Sequence, residues 1–238
     1  MRHPLVKSER YSSVQSSAAP TPIVADPKTT QILDAARDVF LELGYAAATM
    51  DLVAQRARVS KTTLYTRFPS KEDLYTATIS NECERHGMRF APESFDGLPL
   101  RDVLIQVGGR FVELIWSEPA IRVHQSVMGE SLRVPEAARL FFKAGPERAT
   151  AALVALFERL AQRGLVDIDD PAFVAGQFLV AMQGGPYCAL AVSLAPLPSA
   201  EERNLFVAKA VDLFIRGVAP PIGKKTRKWS FCPMSKSR

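Results

Sequence analysis

Cysteine is scarce in this sequence, and the spacing of the few that are present excludes two kinds of stabilised fold. The 238 residues include three cysteines, Cys83, Cys188 and Cys232, which are far apart and form no C-x-x-C pair. A disulfide-bonded scaffold and a zinc site both need suitably spaced sets of ligand or bonding residues. We therefore expect neither a disulfide framework nor a metal site.

Long apolar runs and catalytic motifs are missing as well. No stretch is apolar for long enough to span a bilayer, and residues 1–25 contain no apolar core of signal-peptide length. The chain has no G-x-S-x-G, H-E-x-x-H, Walker A or G-x-G-x-x-G segment. We therefore expect a cytoplasmic protein with a disordered N-terminal arm, no membrane contact, no catalytic activity and no cofactor.

Basic residues are unevenly distributed. Much of the net charge of +5 comes from residues 219–238. The basic residues of this tail are Lys224, Lys225, Arg227, Lys228, Lys236 and Arg238, and no acid lies among them. Without the tail the chain is close to neutral, so its overall charge is weak evidence for nucleic-acid binding. We interpret the tail as a flexible, solvated charge run and assign no site to it.

The apolar residues that are present follow a helical spacing. Asp26 and Pro27 have the pattern of an N-cap followed by proline in the first turn, and the first helix ends at Gly44. Its apolar stripe is Ile32, Leu33, Ala36, Val39, Phe40 and Leu43. A helix opened by Ser70 is predicted to continue toward Phe90. Further helices are predicted over residues 99–117, 119–132, 135–163, 170–194 and 199–217, with an interruption at 145–146. No segment has convincing strand periodicity, so we predict an all-α fold.

Residues 49–71, TMDLVAQRARVSKTTLYTRFPSK, have the pattern of a short helix, a tight turn and a second short helix. Thr49 is a good N-cap because its hydroxyl can accept from a free amide of the first turn, and Ser60 can cap the second helix in the same way. Leu64 and Phe68 are one turn apart and would anchor the second helix to the bundle. Its other side chains would then face outward.

These outward side chains have the chemistry of a surface that reads a DNA groove. Threonine hydroxyls donate to and accept from base edges, whereas lysine and arginine bind guanine or phosphate. Residues 56–71 contain five basic residues and no acidic one. A solvated helical hairpin with a chance run of basic residues is the alternative interpretation. The caps, the spacing and the sign of the charge together favour DNA.

Residues 32–79 resemble the DNA-binding domain of the TetR family of bacterial transcriptional regulators. The resemblance rests on three segments: F-x-x-x-G-Y beginning at Phe40, T-x-x-x-V-A beginning at Thr49, and V-S-x-x-x-L-Y-x-x-F-x-S-K beginning at Val59. The chain departs from the family at Arg58, where the family very often has glycine, a residue that adopts positive φ at low cost. The turn is therefore expected to be slightly strained or different in geometry.

This resemblance implies which residues meet DNA. The side chains nearest base edges would be those of Lys61, Thr62, Thr63 and Thr66, and those holding phosphates would be Thr49, Tyr65, Arg67 and Lys71. Ser60, at the start of the reading helix, completes the predicted DNA-binding set. Partial burial of Tyr65, with only its hydroxyl reaching DNA, is compatible with the same role. Lys71 also opens the next helix, whose free amides favour an anion such as phosphate.

The helix predicted over residues 170–194 is apolar on almost every side, as Phe173, Phe178, Val180 and Leu190 illustrate. A helix without a polar face needs two neighbours. One is the core of its own domain, and the other is predicted to be the same helix of a second subunit, packed with the last helix in a two-fold interface. The family resemblance implies the same homodimer. Complete burial inside a monomer is the alternative.

Aromatic and soft side chains of the C-terminal part predict an apolar effector pocket beside the break at 184–186. The predicted contacts are Phe111, Trp116, His124, Met128, Phe142, Phe178, Met182, Gln183 and Tyr187. Each of them also fits an ordinary helical core, and His124 also fits a hydrogen-bonded structural histidine. Residues 122–194, with an R-x-P-E-x-A-R-x-F-F segment at 133–142 that AGPERA follows, resemble the C-terminal domain of the AefR-like subclass of the family.

These patterns divide the chain into the arm (1–25), a helix-turn-helix domain (26–75), a helical effector-binding and dimerisation domain (76–218) and the basic tail (219–238). We expect a nucleoid-associated transcriptional repressor that binds a double-stranded, pseudo-palindromic operator as a homodimer and is released by a small apolar effector. Two alternatives stay open. One is a helical small-molecule-binding protein or enzyme that keeps the N-terminal unit as scaffold, and the other is an architectural DNA protein without an effector.

Overall fold

The computed structural model describes residues 26–220, which form α-helices and one 3₁₀ turn at Pro92–Phe95. The helices are α1 (Pro27–Ala47), α2 (Met50–Arg56), α3 (Lys61–Arg67), α4 (Lys71–Arg85), α5 (Leu100–Ile115), α6 (Glu118–Glu130), α7 (Pro135–Ala144), α8 (Pro146–Gln162), α9 (Pro171–Ala191) and α10 (Ala200–Val218). The all-α prediction is confirmed for these residues. The predicted arm (1–25), the predicted tail from residue 221 onward and Cys232 lie outside the described residues.

Helices α1 to α4, together with α7, enclose one hydrophobic core. Ile32, Ala36 and Val39 of α1 are completely buried, because residues that recur every three or four positions share one face of a helix. Leu43 belongs to the same predicted stripe but is 42% exposed, so the prediction is wrong there. This residue directly precedes Gly44, whose φ of +73° breaks the helical path.

The end of α4 also differs from the prediction. The helix stops at Arg85 and does not continue toward Phe90, because Gly87 adopts a φ of +64° that turns the chain away from the helix axis. The Gly87 and Met88 amides donate to two carbonyls of the last helical turn at 2.9 and 3.0 Å, which is a Schellman motif. The residues after Gly87 therefore form a loop, and Met88 is buried in the C-terminal core.

Helices α5, α6, α8, α9 and α10 form a second bundle around Leu104, Leu153, Phe157 and Phe178, all of which are completely buried. The predicted helices of this part are confirmed to within three residues at each end. The interruption predicted at 145–146 is also confirmed, because it separates α7 from α8. Proline has no amide hydrogen and its ring clashes with the preceding turn, so a continuous helix is excluded there.

A break lies within α9 where the glycine-proline segment predicts one. Gly184 has a φ of +58° and a ψ of −177°, outside the helical region, and Pro186 has no amide hydrogen to donate. The two parts of the helix therefore meet at a kink. Of the helices in residues 26–220, none has both the length and the apolar content that crossing a bilayer requires.

The two bundles share α4. Its residues Leu74, Tyr75 and Ile79 pack in the N-terminal core together with Ala137 and Ala144 of α7. The domain boundary predicted after residue 75 thus falls inside a helix. α4 packs against both α1 and α7, so α7 is in direct contact with the N-terminal bundle.

Candidate nucleic-acid interface

α2 and α3 each begin at a residue whose hydroxyl caps the first turn, as the sequence predicts. The Thr49 hydroxyl accepts from the Leu52 amide at 3.2 Å, and the Ser60 hydroxyl accepts from the Thr63 amide at 3.1 Å. Each hydroxyl replaces the partner that an amide of the first turn lacks, and such a cap is worth about 1 kcal/mol. The start of each helix is therefore set by neighbouring residues in the sequence.

The turn between α2 and α3 has the geometry that suits glycine, although its central residue is arginine. Arg58 has a φ of +50°, and the Arg58 and Val59 amides donate back to carbonyls of α2 at 3.1 and 3.0 Å. The Gln31 side-chain amide donates to the Ala57 carbonyl at 2.8 Å and ties the turn to α1. The left-handed conformation costs a residue with a Cβ about 1 kcal/mol or more. Of the two predicted possibilities, the slightly strained turn is the one present.

α3 has a buried edge and an exposed face, as the sequence predicts. Leu64 is completely buried and Phe68 is 8% exposed, and both pack in the N-terminal core. The exposed residues are Ser60, Lys61, Thr62, Tyr65, Thr66 and Arg67, and Thr63 is half-buried among them. Tyr65 is 46% exposed, so much of its ring, and not the hydroxyl alone, is available on this face.

Two cations of the face are paired with acids of neighbouring elements. Lys61 Nζ lies 2.6 Å from Asp51 Oδ2, and this hydrogen bond raises the pKa of Lys61. Arg67 Nη2 lies 2.5 Å from Asp26 Oδ2, and its Nη1 donates to the Thr29 hydroxyl at 3.0 Å. Exposed ion pairs contribute little to stability because water and salt screen them. A phosphate can therefore replace either acid at small cost.

The hydroxyls of α3 retain capacity to accept hydrogen bonds. Thr66 Oγ1 donates to the Thr62 carbonyl at 2.8 Å, and Thr63 Oγ1 shares a hydrogen bond with Ser60 Oγ at 2.8 Å. A hydroxyl has one hydrogen and two lone pairs. Thr63 Oγ1 and Thr66 Oγ1 can each still accept from the amino group of adenine or cytosine in a major groove.

Lys71 differs from the other predicted phosphate contacts. Its Nζ donates to the carbonyls of Tyr45, Ala46 and Ala48 at 2.8, 3.3 and 3.1 Å, and it lies 4.5 Å from the centre of the Tyr45 ring. An ammonium group has three hydrogens, so these three acceptors use all of them. α1 has no basic residue in its own last turn, and Lys71 supplies the missing cap. In this geometry it has no hydrogen left for a phosphate.

The start of α4 also differs from the predicted anion site. Ser70 is the N-cap, since its hydroxyl accepts from the Asp73 amide at 3.0 Å and donates to Asp73 Oδ2 at 2.7 Å. Glu72 accepts from the Tyr45 hydroxyl at 2.9 Å, and its own backbone amide together with that hydroxyl lowers the pKa of Glu72. Two carboxylates already complement the positive end of this helix, which disfavours a phosphate there.

The predicted effector residues separate into distinct places. Phe111, Trp116, Phe178 and Met182 lie in the core of the C-terminal bundle. His124 and Tyr187 meet beside that core with ring centres 5.7 Å apart. Gln183 is exposed, and Met128 and Phe142 are 63% and 59% exposed, so these three do not line an interior site. Phe142 is exposed because α7 turns the face of Ala137 and Ala144 inward.

A cleft that sequence reasoning missed lies where the end of α4 meets α5. It has a volume of about 600 Å³, is open to solvent and is lined by Arg85, His86, Gly87, Arg110 and Glu113. Arg110 lies above the Phe95 ring at 5.7 Å, so it packs the loop after α4 onto α5. A solvent-exposed, charged cleft of this kind is unsuitable for the apolar effector that the sequence predicts.

Comparison with protein families matches both bundles. Residues 32–78 match the model of the bacterial regulatory proteins of the tetR family. Residues 102–217 match the model of the C-terminal domain of AefR-like transcriptional repressors. Together the two matches cover more than half of the chain.

Individual proteins that are similar to this chain are also transcriptional regulators. The HTH-type transcriptional regulator UidR of Escherichia coli (strain K12) is 33% identical over 116 residues, which are 49% of this chain and 58% of that protein. The chain thus matches little more than half the length of this relative. The HTH-type transcriptional activator FasR of Mycolicibacterium smegmatis is 46% identical over 59 residues, 25% of this chain and 27% of FasR. Among solved structures, that of the Flavonoid-responsive Regulator FrrA is 29% identical with a TM-score of 0.62, covering 81% of this chain and 97% of FrrA.

Proposed function

This chain belongs to the TetR family of bacterial regulatory proteins, and we propose that it is a homodimeric, ligand-responsive repressor that binds a pseudo-palindromic operator in the bacterial nucleoid. The observation that carries the proposal is the exposed face of α3. That face combines hydroxyls, one phenol and two cations on a short helix whose opposite edge is anchored by Leu64 and Phe68. A helix of this kind fits the major groove with its N-terminal residues toward base edges.

The face divides into base-reading and phosphate-holding parts. Lys61, Thr62, Thr63 and Thr66 would read base edges. Thr49, Tyr65 and Arg67 would hold phosphates on either side of the groove, and Ser60 would fix the first turn between them. The acids Asp51 and Asp26 keep Lys61 and Arg67 in place before DNA arrives. Lys71 takes part indirectly, by fixing the end of α1 against α4.

The second subunit would pack on α9 and α10. Phe173 and Val180 of α9 are 64% and 59% exposed, and Leu205 and Leu213 of α10 are 54% and 72% exposed. Side chains of this size on two neighbouring helices make an apolar surface that a two-fold partner can bury. The dimer would place its two α3 helices about 34 to 36 Å apart, one turn of DNA.

Leu213→Glu tests this interface. A buried carboxylate at the centre of an apolar contact disfavours association, so the variant should sediment as a monomer and lose operator affinity. The matched control is Leu132→Glu, because Leu132 is 97% exposed at the end of α6 and should leave the dimer intact. A monomeric wild-type chain, or an intact Leu213→Glu dimer, contradicts the proposed interface.

The effector would act by binding one arrangement of the two bundles more tightly than the other. FrrA is named for a response to flavonoids, which supports a small organic effector for this chain. The AefR-like match of the C-terminal half supports repression, while FasR, named an activator, matches only a quarter of the chain. α4 contacts both α7 and α1, so it is the element through which a change near α7 would reach the N-terminal bundle.

DNA binding is tested with the full chain and a matched pair of variants. Arg67→Ala removes a proposed phosphate contact, whereas Arg139→Ala removes an equal charge from α7, where Arg139 is paired with Glu136 at 2.9 Å. Arg67→Ala should weaken binding to all duplexes alike and reduce the salt dependence of log K by about 0.9, and Arg139→Ala should do neither. Equal behaviour of the two variants would contradict the Arg67 contact. Absence of salt-dependent binding to duplex DNA by the full chain would favour the alternative of a helical small-molecule-binding protein or enzyme.

A further inference from the structure

Within residues 26–220, one buried donor of the C-terminal bundle has no acceptor. Trp116, which follows the last residue of α5, is 2% exposed, and its indole Nε1 makes no hydrogen bond within the described residues. Asp34 Oδ1 shares this property, but it lies 3.0 Å from Arg85 Nη1 and is compensated by that charge. Buried donors in native proteins almost always have a partner, because an unpaired one loses its hydration without replacement. The Trp116 N–H therefore requires an explanation.

The surroundings of Trp116 are unusual for a closed core. Its ring centre lies 4.8 Å from that of Phe206 of α10. Phe206 also presses on the kink of α9, since a Cβ added at Gly184 would lie 2.5 Å from Phe206 Cζ. The Phe206 ring is thus placed between the indole and the kink, and it is partly exposed. Three helices meet at one ring that reaches the surface.

A purely structural core would not favour this combination. Phenylalanine at position 116 would fill most of the space without a polar atom to satisfy, and an unbroken α9 would keep all of its backbone hydrogen bonds. An unpaired donor beside a broken helix is a place where a ligand with an acceptor atom would satisfy the donor.

We propose that Trp116 Nε1 is the polar anchor of an effector site at the α9 kink, where an apolar molecule with an aromatic ring and an oxygen acceptor takes the place of Phe206. The molecule's ring packs on the indole, and its oxygen accepts the indole hydrogen. Phe206 swings outward to admit it. That the molecule is an effector rests on the proposed function; that the site binds it does not.

The proposed site lies beside the surface assigned to the second subunit. Leu205, the neighbour of Phe206 on α10, is 54% exposed on that surface. The ligand site and the proposed interface therefore use adjacent residues of the same helix.

The experiment follows the indole N–H directly by NMR, with acetophenone and ethylbenzene as matched probes. The two molecules have one aromatic ring and similar size, and only acetophenone has a carbonyl. The full-length chain is used with Trp229→Phe, which leaves Trp116 as its single tryptophan. Acetophenone should move the Trp116 indole proton downfield, because the proton gains an acceptor, whereas ethylbenzene should not produce this hydrogen-bond shift.

Affinity gives a second readout. Trp116→Phe should weaken acetophenone binding about 5-fold, the value of one net hydrogen bond, and leave ethylbenzene binding unchanged. Phe206→Ala should strengthen binding of both probes, because the ring that blocks the site is gone. An indole proton that acetophenone leaves in place, no binding of either probe at millimolar concentration, or equal loss of both probes in Trp116→Phe overturns the proposal.

Measuring DNA binding of the same samples without probe distinguishes a failure of the ligand site from a failure of the regulator function. If acetophenone shifts the indole proton but the protein does not bind duplex DNA, the ligand site is supported and the regulator function is wrong. If the protein binds DNA and the indole proton does not respond, the function stands and this site is wrong.

Discussion

Lys71→Met separates two roles that a lysine at the end of a helix-turn-helix can have. In the structure its ammonium donates to three carbonyls at the end of α1, with distances of 2.8, 3.3 and 3.1 Å. Methionine has a similar length and shape but no donor, so the three carbonyls lose their cap while the packing of the stem is kept. If Lys71 acts by capping the carbonyls, Lys71→Met lowers the stability of the protein. If Lys71 acts by binding a phosphate, the substitution lowers the affinity for DNA.

The expected magnitude follows from the contacts. A hydrogen bond to a charged group contributes about 1.5 to 3 kcal/mol. Lys71 is only half-buried, and water can replace part of its contribution, so we expect the free energy of unfolding to fall by about 2 kcal/mol for the three bonds together. For a domain of this size that corresponds to a decrease in Tm of about 4 to 8 °C. Lys71→Arg should recover part of it, because a planar guanidinium cannot direct its hydrogens to all three carbonyls.

Thermal unfolding followed by circular dichroism measures the first effect, and the salt dependence of duplex binding well below the Tm measures the second. Lys143→Met is the control, since Lys143 is exposed on α7. We expect Lys71→Met to lower the Tm and to leave the salt dependence of log K at the wild-type value. An unchanged Tm together with a salt dependence reduced by about 0.9 would refute this reasoning and make Lys71 a phosphate ligand.

Three further substitutions test other parts of the structure. Arg58→Gly should raise the free energy of unfolding by about 0.5 to 1 kcal/mol in urea titrations, because glycine adopts the φ of +50° without a Cβ clash. Gly184→Ala should lower the free energy of unfolding by about 2 kcal/mol or more, because the residue has a φ of +58° and the added Cβ would clash with Phe206. Gly176→Ala is the control and should not lower it, because the added Cβ would have no close contact among the described residues. Burial lowers the pKa of His124, so the unfolded chain binds the proton more readily. His124 should therefore make stability fall as the pH drops below about 6.5, and His124→Gln should flatten that fall between pH 7.5 and 5.5.

The features that could be predicted from the sequence are those set by residues close together in the chain. The caps at Thr49 and Ser60 need only a hydroxyl three residues before a free amide, and both are present as expected. The interruption between α7 and α8 needs only a proline that cannot continue a helix. The buried edge of α3 follows from two apolar residues one turn apart. In each case the cause lies within about one helical turn.

The features that sequence reasoning missed depend on residues far apart in the chain. The partners of Lys71 lie more than twenty residues away in α1, and Arg67 pairs with Asp26 across the N-terminal bundle. A charge pattern alone does not distinguish a lysine that binds carbonyls from one that binds phosphate. One signal was available: α1 has no basic residue in its last turn, so its carbonyls needed a donor from elsewhere.

The effector prediction illustrates the same limit for apolar residues. Hydrophobic character identified Trp116 and Met182 as interior residues, and both are buried. It also selected Met128 and Phe142, which are exposed, because apolar content does not say which face of a helix turns inward. Only the packing of α6 and α7 on their neighbours decides that.

The central claim is that α3 reads DNA in a two-fold arrangement, and selection from a random duplex library tests it most directly. The full-length chain should enrich an inverted repeat whose half-site centres are about 10 base pairs apart. Thr62→Ala, which removes an exposed hydroxyl from the first turn of α3, should change the preferred base at one position in each half-site, while Arg139→Ala should enrich the wild-type sequence. Enrichment of no sequence, of a single half-site, or of an identical repeat by Thr62→Ala would contradict the account.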